Sequence, residues 1–358
     1  MMPMDELEQD RADAFAGRLI GVVNDGMLAL MVSVGHRTGL FDVMAGLERA
    51  DSATIAASAG LQERYVREWL GAMTTGGIVD FDGADATYHL PQEHAMSLTR
   101  AAGTGNLASY TQFVAMLGQV ESAIVTAFRE GGGVPYAEFP DFQRVMAEES
   151  SKVFDATLLS TVLPLAPGLP GRLDSGIDVA DVGCGSGHAI NLMAAAFPRS
   201  RFTGFDFSAE GVAAGAAEAS ARELDNARFE VRDVATLGGP AIFDLVTTFD
   251  SIHDQARPDR VLRGIFEMLR PGGTYLCVDV KASSHLVDNV DHPLGPFFYT
   301  VSCMHCMTVS LAQGGAGLGA VWGEQTAMRM MAEAGFTDVR TETVPGDITN
   351  NYYIARRP

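Results

Sequence analysis

The sequence predicts an α/β protein: a doubly wound sheet of Rossmann-like type, preceded by an N-terminal, mainly helical winged-helix domain. Three observations lead there. From residue 177 onward, short apolar runs alternate with stretches of helical periodicity, the pattern of a mostly parallel sheet covered on both faces. One of those runs, Val179-Ala180-Asp181-Val182, stops on a glycine-spaced turn, Gly183-Cys184-Gly185-Ser186-Gly187. Far upstream, residues 52–90 read helix, turn, helix, hairpin.

Taken in order, residues 5–48 predict two helices, with a break between Gly21 and Gly26. Ser52 to Ala59 forms a short helix that Gly60 turns, and Gln62 to Thr75 a longer one with Tyr65, Trp69, Leu70 and Met73 on one face. Residues 78–81 and 87–90 then alternate as two strands around Asp82-Gly83-Ala84-Asp85, a hairpin signal. Residues 101–165 are a helical connector. Leu107, Tyr110, Val114, Leu117 and Val120 form one apolar stripe in it, and Gly131-Gly132-Gly133 breaks it before a second helical stretch from Phe139 to Leu163. Pro164, Pro167 and Pro170 stop helix formation ahead of the sheet. Strands are expected at 177–182, 201–205, 227–232, 242–249, 274–280, 337–344 and 350–356, and helices at 187–196, 208–222, 258–269 and 324–334. The expected domains are therefore 1–100, a connector 101–171, and 172–358.

Composition narrows the partners. A chain of 358 residues with 47% hydrophobic and 20% charged residues is ordinary for a globular protein of two domains. Its formal charge of −20 repels nucleic acid and anionic membrane alike. The longest apolar run, Met27 to Val34, is short for a bilayer, and the acidic start Met-Met-Pro-Met-Asp-Glu-Leu-Glu lacks the basic residues of a leader. Four cysteines imply no disulfide framework. A cytoplasmic protein is expected. The winged helix invites a DNA-binding reading, but residues 51–90 hold only Arg64 and Arg67 against Asp51, Glu63, Glu68, Asp80, Asp82 and Asp85.

The turn at 183–187 selects a ligand. Dinucleotide folds use G-x-G-x-x-G so that pyrophosphate can sit on the helix N-terminus. Here the glycines fall at 183, 185 and 187, His188 stands where a third dinucleotide glycine would, and no Lys or Arg lies in the turn. Asp181 opposes a phosphate and suits an ammonium group, while Asp206, at the tip of the next strand, suits both hydroxyls of a ribose. Through D-V-G-C-G-S-G and Asp206 the chain resembles the class I S-adenosylmethionine-dependent methyltransferases over residues 172–358. The resemblance implies a methyltransferase sheet with an antiparallel ending, and S-adenosyl-L-methionine as cofactor. Asp181, Gly183, Cys184, Gly185 and Gly187 would lie against its methionine part, with Asp206 and Phe207 at the ribose. Asp233 would accept from the adenine amino group, Val234 would offer its amide, and Phe249 and Asp250 would lie beside the cofactor. The first domain looks like the dimerising winged helix of small-molecule O-methyltransferases, which implies a homodimer held through residues 1–120, with Leu28, Leu30, Met31, Val32 and Val34 beside Phe41 as the patch to be covered.

In those enzymes a His-Asp pair after the fourth strand supplies the general base, which places His253 and Asp254 of Asp250-Ser251-Ile252-His253-Asp254-Gln255 as the catalytic pair. An imidazole, with an ordinary pKa of about 6.5, can take a hydroxyl proton at neutral pH. Gln255 departs from the Trp usual there. The expected acceptor is a small, partly apolar molecule methylated at a hydroxyl; the competing reading is an S-adenosylmethionine-sensing transcriptional regulator. Residues 281–323 form an insertion expected to cover the site. Its Cys303-Met304-His305-Cys306 offers one C-x-x-C without a second, so no metal is expected and the cysteines, within a helix over 297–312, read as core. Gln313 to Gly319 reads as a hinge or lid.

Overall fold

The computed structural model describes residues 6–345 and 347–358, so Met1 to Asp5 of the acidic start lie outside the described residues. The chain divides into two compact units, residues 1–118 and 119–358.

The first unit opens with one unbroken helix, α1 (Glu6–Thr38), followed by α2 (Leu40–Ala45), α3 (Ser52–Ala59) and α4 (Glu63–Thr75). The break expected at Gly21–Gly26 falls instead at Gly39, which holds φ 74°. A side chain at Gly21 or Gly26 would meet nothing within 4 Å, so these glycines weaken the helix without stopping it. Gly35 and Gly76 have a different job: a Cβ at Gly35 would lie 2.6 Å from Trp69, and one at Gly76 2.5 Å from Leu28. Asp51 caps α3 by accepting from Thr54 N, and α4 buries Val66, Trp69, Leu70 and Met73. Tyr65, expected on that face, is 81% exposed; the neighbouring Val66 takes the inward position. The strands β1 (Asp80–Asp82) and β2 (Thr87–His89) pair antiparallel as the wing. After α5 (Gln92–Leu98), α6 (Gln112–Gly118) closes the unit. The stripe expected from Leu107 to Val120 is rotated, with Phe113, Met116, Leu117 and Val120 buried while Leu107 and Val114 are exposed.

Of the apolar patch expected at residues 28–34, Val34 is exposed, Leu28, Leu30 and Met31 are half-buried, and Val32 is buried along with Phe41. The exposed stripe of α1 extends further towards its start, through Phe15, Leu19, Val22, Val23 and Met27, with Ile20 beside it. By length and composition Glu8–Thr38 is one helix long and apolar enough to cross a membrane, unlike the run seen in the sequence alone; 22% of its most apolar window is buried.

In the second unit α7 (Glu121–Glu130), α8 (Phe142–Thr157) and α9 (Leu169–Ser175) lead into the sheet. Pro170 does not stop a helix: it occupies the first turn of α9, where a missing N–H costs nothing. The alternation then follows: β3 (Asp178–Val182), α10 (His188–Ala196), β4 (Arg201–Asp206), α11 (Ala209–Ala221), β5 (Ala227–Val231), β6 (Phe243–Phe249), α12 (Pro258–Met268) and β7 (Leu269–Val280). The insertion contains α13 (Leu286–Asn289), α14 (Gly295–Val301) and α15 (Met307–Ala312), and α16 (Gly323–Ala334), β8 (Thr337–Glu342) and β9 (Asn350–Arg356) complete the unit. The sheet order is β5-β4-β3-β6-β7-β9-β8, parallel except that β9 pairs antiparallel with both neighbours.

Period-two alternation splits the core into two layers. Val179, Phe202, Leu245 and Leu276 face α10 and the residues 158–173, while Ala180, Val246, Tyr275 and Tyr353 face α12 and α16. Helix α12 turns Val261, Leu262, Ile265 and Met268 inward and pairs Arg263 with Glu267 outside. From β3 the chain winds to one side through β4 and β5, then jumps back to β6 on the other. Ligands bind at such a switch point, outside the carboxyl ends of the strands.

Candidate active site

At the switch point the end of β3 runs into the glycine turn, with Gly183, Gly185 and Gly187 at φ 74°, 52° and 70°. None of the three is replaceable on conformational grounds, and two also lack room: a Cβ at Gly183 would lie 2.5 Å from Ser251, and one at Gly187 2.2 Å from Phe229. The turn lines a cleft together with Asp181, Cys184, Asp206, Phe207, Val234, Phe249, Asp250 and Asp254. All but three of the expected cofactor and catalytic residues thus meet there; the exceptions are Gly187, Asp233 and His253.

Asp206 ends β4 and accepts from Gly185 N and Ser208 N, each at 2.8 Å, so the loop fixes its carboxylate while each oxygen keeps a lone pair. Burial raises its pKa despite those donors. Asp181 is buried, accepts from Thr247 Oγ1 at 2.8 Å, and is pushed up to about 7, by burial first and then by the charge of Asp206. Asp250 holds φ 49°, unusual for a residue with a side chain, and its Oδ1 is buried without a partner. Burial and the neighbouring Asp279 raise it to about 7. Asp254 is raised to about 6, chiefly by burial. Among the lining residues there is no Lys or Arg.

Asp233 does not reach the cleft. It is exposed and caps its own loop through Oδ1, accepting from Ala235 N at 2.9 Å, while its neighbour Val234 does line the cleft.

His253 lies just behind the lining, 5% exposed. The pair expected with Asp254 does not form. Nδ1 of His253 is 2.7 Å from Oδ1 of Asp279, at the end of β7, and Trp322 Nε1 donates to the same oxygen at 3.0 Å. Asp254 lines the cleft, while the histidine bonds to a residue of another strand. Burial lowers the pKa of His253, but Asp279 and the Cys306 side chain outweigh it, and the net shift is well upward. Asp279 was legible as the single acid in the apolar run Tyr275-Leu276-Cys277-Val278-Asp279-Val280.

Residues 136–154, within the helical connector of the sequence, supply the other wall; its individual side chains were not named there. Tyr136 meets Phe207 edge-on at 5.2 Å and accepts from Gln143 Nε2 at 2.7 Å, and Phe154 meets Phe249 edge-on at 4.8 Å. The segment is pinned by Gly133, whose Cβ would fall 2.0 Å from Thr308 O. The expected lid at 313–319 is tied down as well: Ala316 N donates to Ala256 O at 3.0 Å and Gly319 N to His253 O at 3.1 Å, so its glycines serve close approach. Among the described residues no three His, Cys, Asp or Glu side chains converge as a metal site. Cys306 is buried and Cys303 half-buried.

Comparison with known proteins matches this architecture. Residues 173–335 match a family described as a methyltransferase domain, and residues 26–100 the Rv2258c-like winged HTH domain. A trans-aconitate 2-methyltransferase of Deinococcus radiodurans is 37% identical over 116 residues, 32% of this chain and 41% of that protein, so the match spans less than half of the relative's length. Among solved structures, human N-acetylserotonin methyltransferase in complex with S-adenosylmethionine is similar at a TM-score of 0.68, with 20% identity, over 96% of this chain and 97% of that one. The mitomycin 7-O-methyltransferase is similar at 0.67, with 17% identity, over 97% and 99%. At these identities the structural likeness is one of fold. With both domain families matched in their expected places, the chain joins a winged helix-turn-helix domain to a methyltransferase domain.

Proposed function

We propose that the chain transfers a methyl group from S-adenosylmethionine to a small-molecule acceptor, and that the accepting atom is a hydroxyl oxygen. The observation that carries the cofactor reading is the charge of the cleft: Asp181, Asp206, Asp250 and Asp254 line it without a Lys or Arg. Such a lining stabilises a cationic ligand and repels a pyrophosphate. The unpartnered Oδ1 of Asp250 fits the same demand. Asp181 and Asp250 suit the ammonium and sulfonium charges, Asp206 the ribose hydroxyls, and the turn 183–187 lets backbone approach closely. When bound, the cofactor supplies a methyl carbon made electrophilic by its sulfonium sulfur. The chain itself must hold the acceptor in line and take its proton. Asp279 fixes Nδ1 of His253, which leaves Nε2 for that proton. One similar structure is named for methyl transfer to oxygen, in agreement with this acceptor.

Titration calorimetry tests the cofactor: S-adenosylmethionine and S-adenosylhomocysteine should give heat and NAD none. Screening a panel of phenols, thiols and amines for release of S-adenosylhomocysteine tests the acceptor, and turnover confined to thiols or amines would remove the hydroxyl reading.

The dimer belongs to the same reading. The exposed stripe Phe15, Leu19, Val22, Val23 and Met27 of α1 is more apolar surface than a lone helix keeps in water, and pairing with a second copy covers it. We place the protein in the cytoplasm, with that stripe in a dimer and not in a bilayer. Light scattering in detergent-free buffer should give twice 38.1 kDa. The regulator reading is disfavoured by α4, where Arg64 pairs with Glu68 and Arg67 with Glu63, leaving little charge for a phosphate backbone. A gel shift with random duplex DNA should show no complex.

A further inference from the structure

Tyr136, Phe142, Met146 and Phe154 give one wall of the cleft an apolar, aromatic surface, and the polar groups set beside it are hydrogen-bond acceptors. Asp254 lines the cleft, and among the described residues its only side-chain partner is Gln255 Nε2, which donates to Oδ1 at 3.3 Å. The same nitrogen donates to Ser251 O at 2.7 Å. With both N–H groups of that amide used, Oε1 is the atom Gln255 has left for a ligand. Basic side chains that follow β3, β6 and β7 are engaged elsewhere. His188 lies between Glu218 at 2.8 Å and Asp155 at 2.9 Å, and His253 is held by Asp279. Lys281 gives its Nζ to Asp347 O at 3.3 Å and does not line the cleft.

A bound cofactor brings an ammonium, a carboxylate and a sulfonium, one net positive charge, against the carboxylates of Asp181, Asp206, Asp250 and Asp254. Even with Asp181 and Asp250 protonated, Asp206 and Asp254 keep the lining negative. An acceptor carrying a carboxylate would then bury a further anion beside Asp254 with no cation to meet it, whereas an amine would complete the pair. The aromatic wall favours a cation as well, through the faces of its rings.

We propose that the acceptor site selects on charge: it takes a phenol that carries an amine, refuses one that carries a carboxylate, and Asp254 is the residue that decides between them. The inference rests on the reading of this cleft as the acceptor site for methyl transfer. The ammonium donates to the Asp254 carboxylate and to Gln255 Oε1, and the phenol ring packs on the aromatic wall.

The test compares three phenols that differ at the para position: 4-(2-aminoethyl)phenol, 4-ethylphenol and 3-(4-hydroxyphenyl)propionate. Each is titrated by calorimetry into the full chain saturated with S-adenosylhomocysteine, so that binding is read without turnover. At about pH 8 the amine is a cation and Asp254, raised to about 6 by burial, is ionised. The amine should bind roughly 10–100-fold more tightly than the propionate, with ethylphenol between them. In Asp254→Asn that ratio should fall to within about threefold, and a loss common to all three ligands cancels from it. Gln255→Lys, which adds a cation beside Asp254, should lower the ratio in the same direction and serves if Asp254→Asn does not fold. A level or reversed order in the parent protein, or no heat from the amine at millimolar concentration, overturns the selection. An unchanged ratio in folded Asp254→Asn overturns the part given to Asp254. Release of S-adenosylhomocysteine from S-adenosylmethionine is read separately: if no phenol is turned over, methyl transfer to a hydroxyl fails, whatever the order of the three affinities.

Discussion

At their amino ends the central strands carry Asp178 on β3, Arg201 on β4, Asp244 on β6 and Arg270 on β7; at their carboxyl ends, Asp181, Asp206, Asp250 and Asp279 follow in the same strand order. The amino-end acids are matched. Arg201 Nε lies 2.7 Å from Asp178, Arg270 Nη2 lies 2.9 Å from it and also pairs with Asp244, and Asp178 is held below the usual carboxylate range, first by the Arg201 hydrogen bond. Of the carboxyl-end acids, Asp279 faces His253, whereas Asp181 and Asp250 have no arginine partner and are pushed the opposite way, to about 7. One sheet therefore keeps a finished edge and an unfinished one. Charge left uncompensated in a buried place costs stability, and it persists where a ligand supplies the missing partner.

The sharpest break in that contrast comes from the base. His253→Gln should lower turnover by about 10²–10⁴ while leaving calorimetric cofactor affinity near that of the parent. Asp206→Ala comes next, removing charge-assisted hydrogen bonds worth roughly 2–4 kcal/mol, or more than tenfold in cofactor affinity. If that variant binds as the parent does, the carboxyl edge is not the ligand edge.

The pH dependence has two opposite signs. Asp181, Asp250 and Asp254 have folded pKa values of about 7, 7 and 6, above those of the unfolded chain. Their contribution to stability is therefore full below about 4 and lost as pH rises through about 6–7. A cationic cofactor selects the ionised forms, so its Kd should tighten over that window, by up to about tenfold per pH unit for each proton released. Calorimetry in buffers of different ionisation heat would count those protons; a flat Kd would mean that the acids do not face the charge. Smallest is the finished edge. Asp178→Asn should cost about 0–1 kcal/mol in urea denaturation and leave cofactor affinity unchanged.

Most of the sheet was legible because its strands are buried on both faces and read as continuous apolar runs. The cofactor turn was legible because three positive-φ positions demand glycine. The misses have physical reasons. Gly21 and Gly26 looked like a helix break, yet neighbours along α1 carry the helix past them. Tyr65 was chosen over Val66 because adjacent residues differ by only 100° in azimuth on a helix of 3.6 residues per turn. Asp254 was preferred to Asp279 as the partner of His253 because sequence shows adjacency, whereas the true neighbour arrives from a parallel strand. The members of the aromatic wall from Tyr136 to Phe154 went unnamed for the same reason.

The position of β9 bears on how the molecule is made. It follows β8 along the chain but lies between β7 and β8, pairing Asp279 with Asn351 and Thr341 with Tyr353. A nascent chain on the ribosome can therefore wind β3 to β6 with their helices, yet β7 keeps a bare edge until residues 350–356 emerge. The strand that carries the partner of His253 gains its last neighbour only near the close of synthesis, so a translation product stopped after β8 should be insoluble and inactive while still holding the whole cofactor turn.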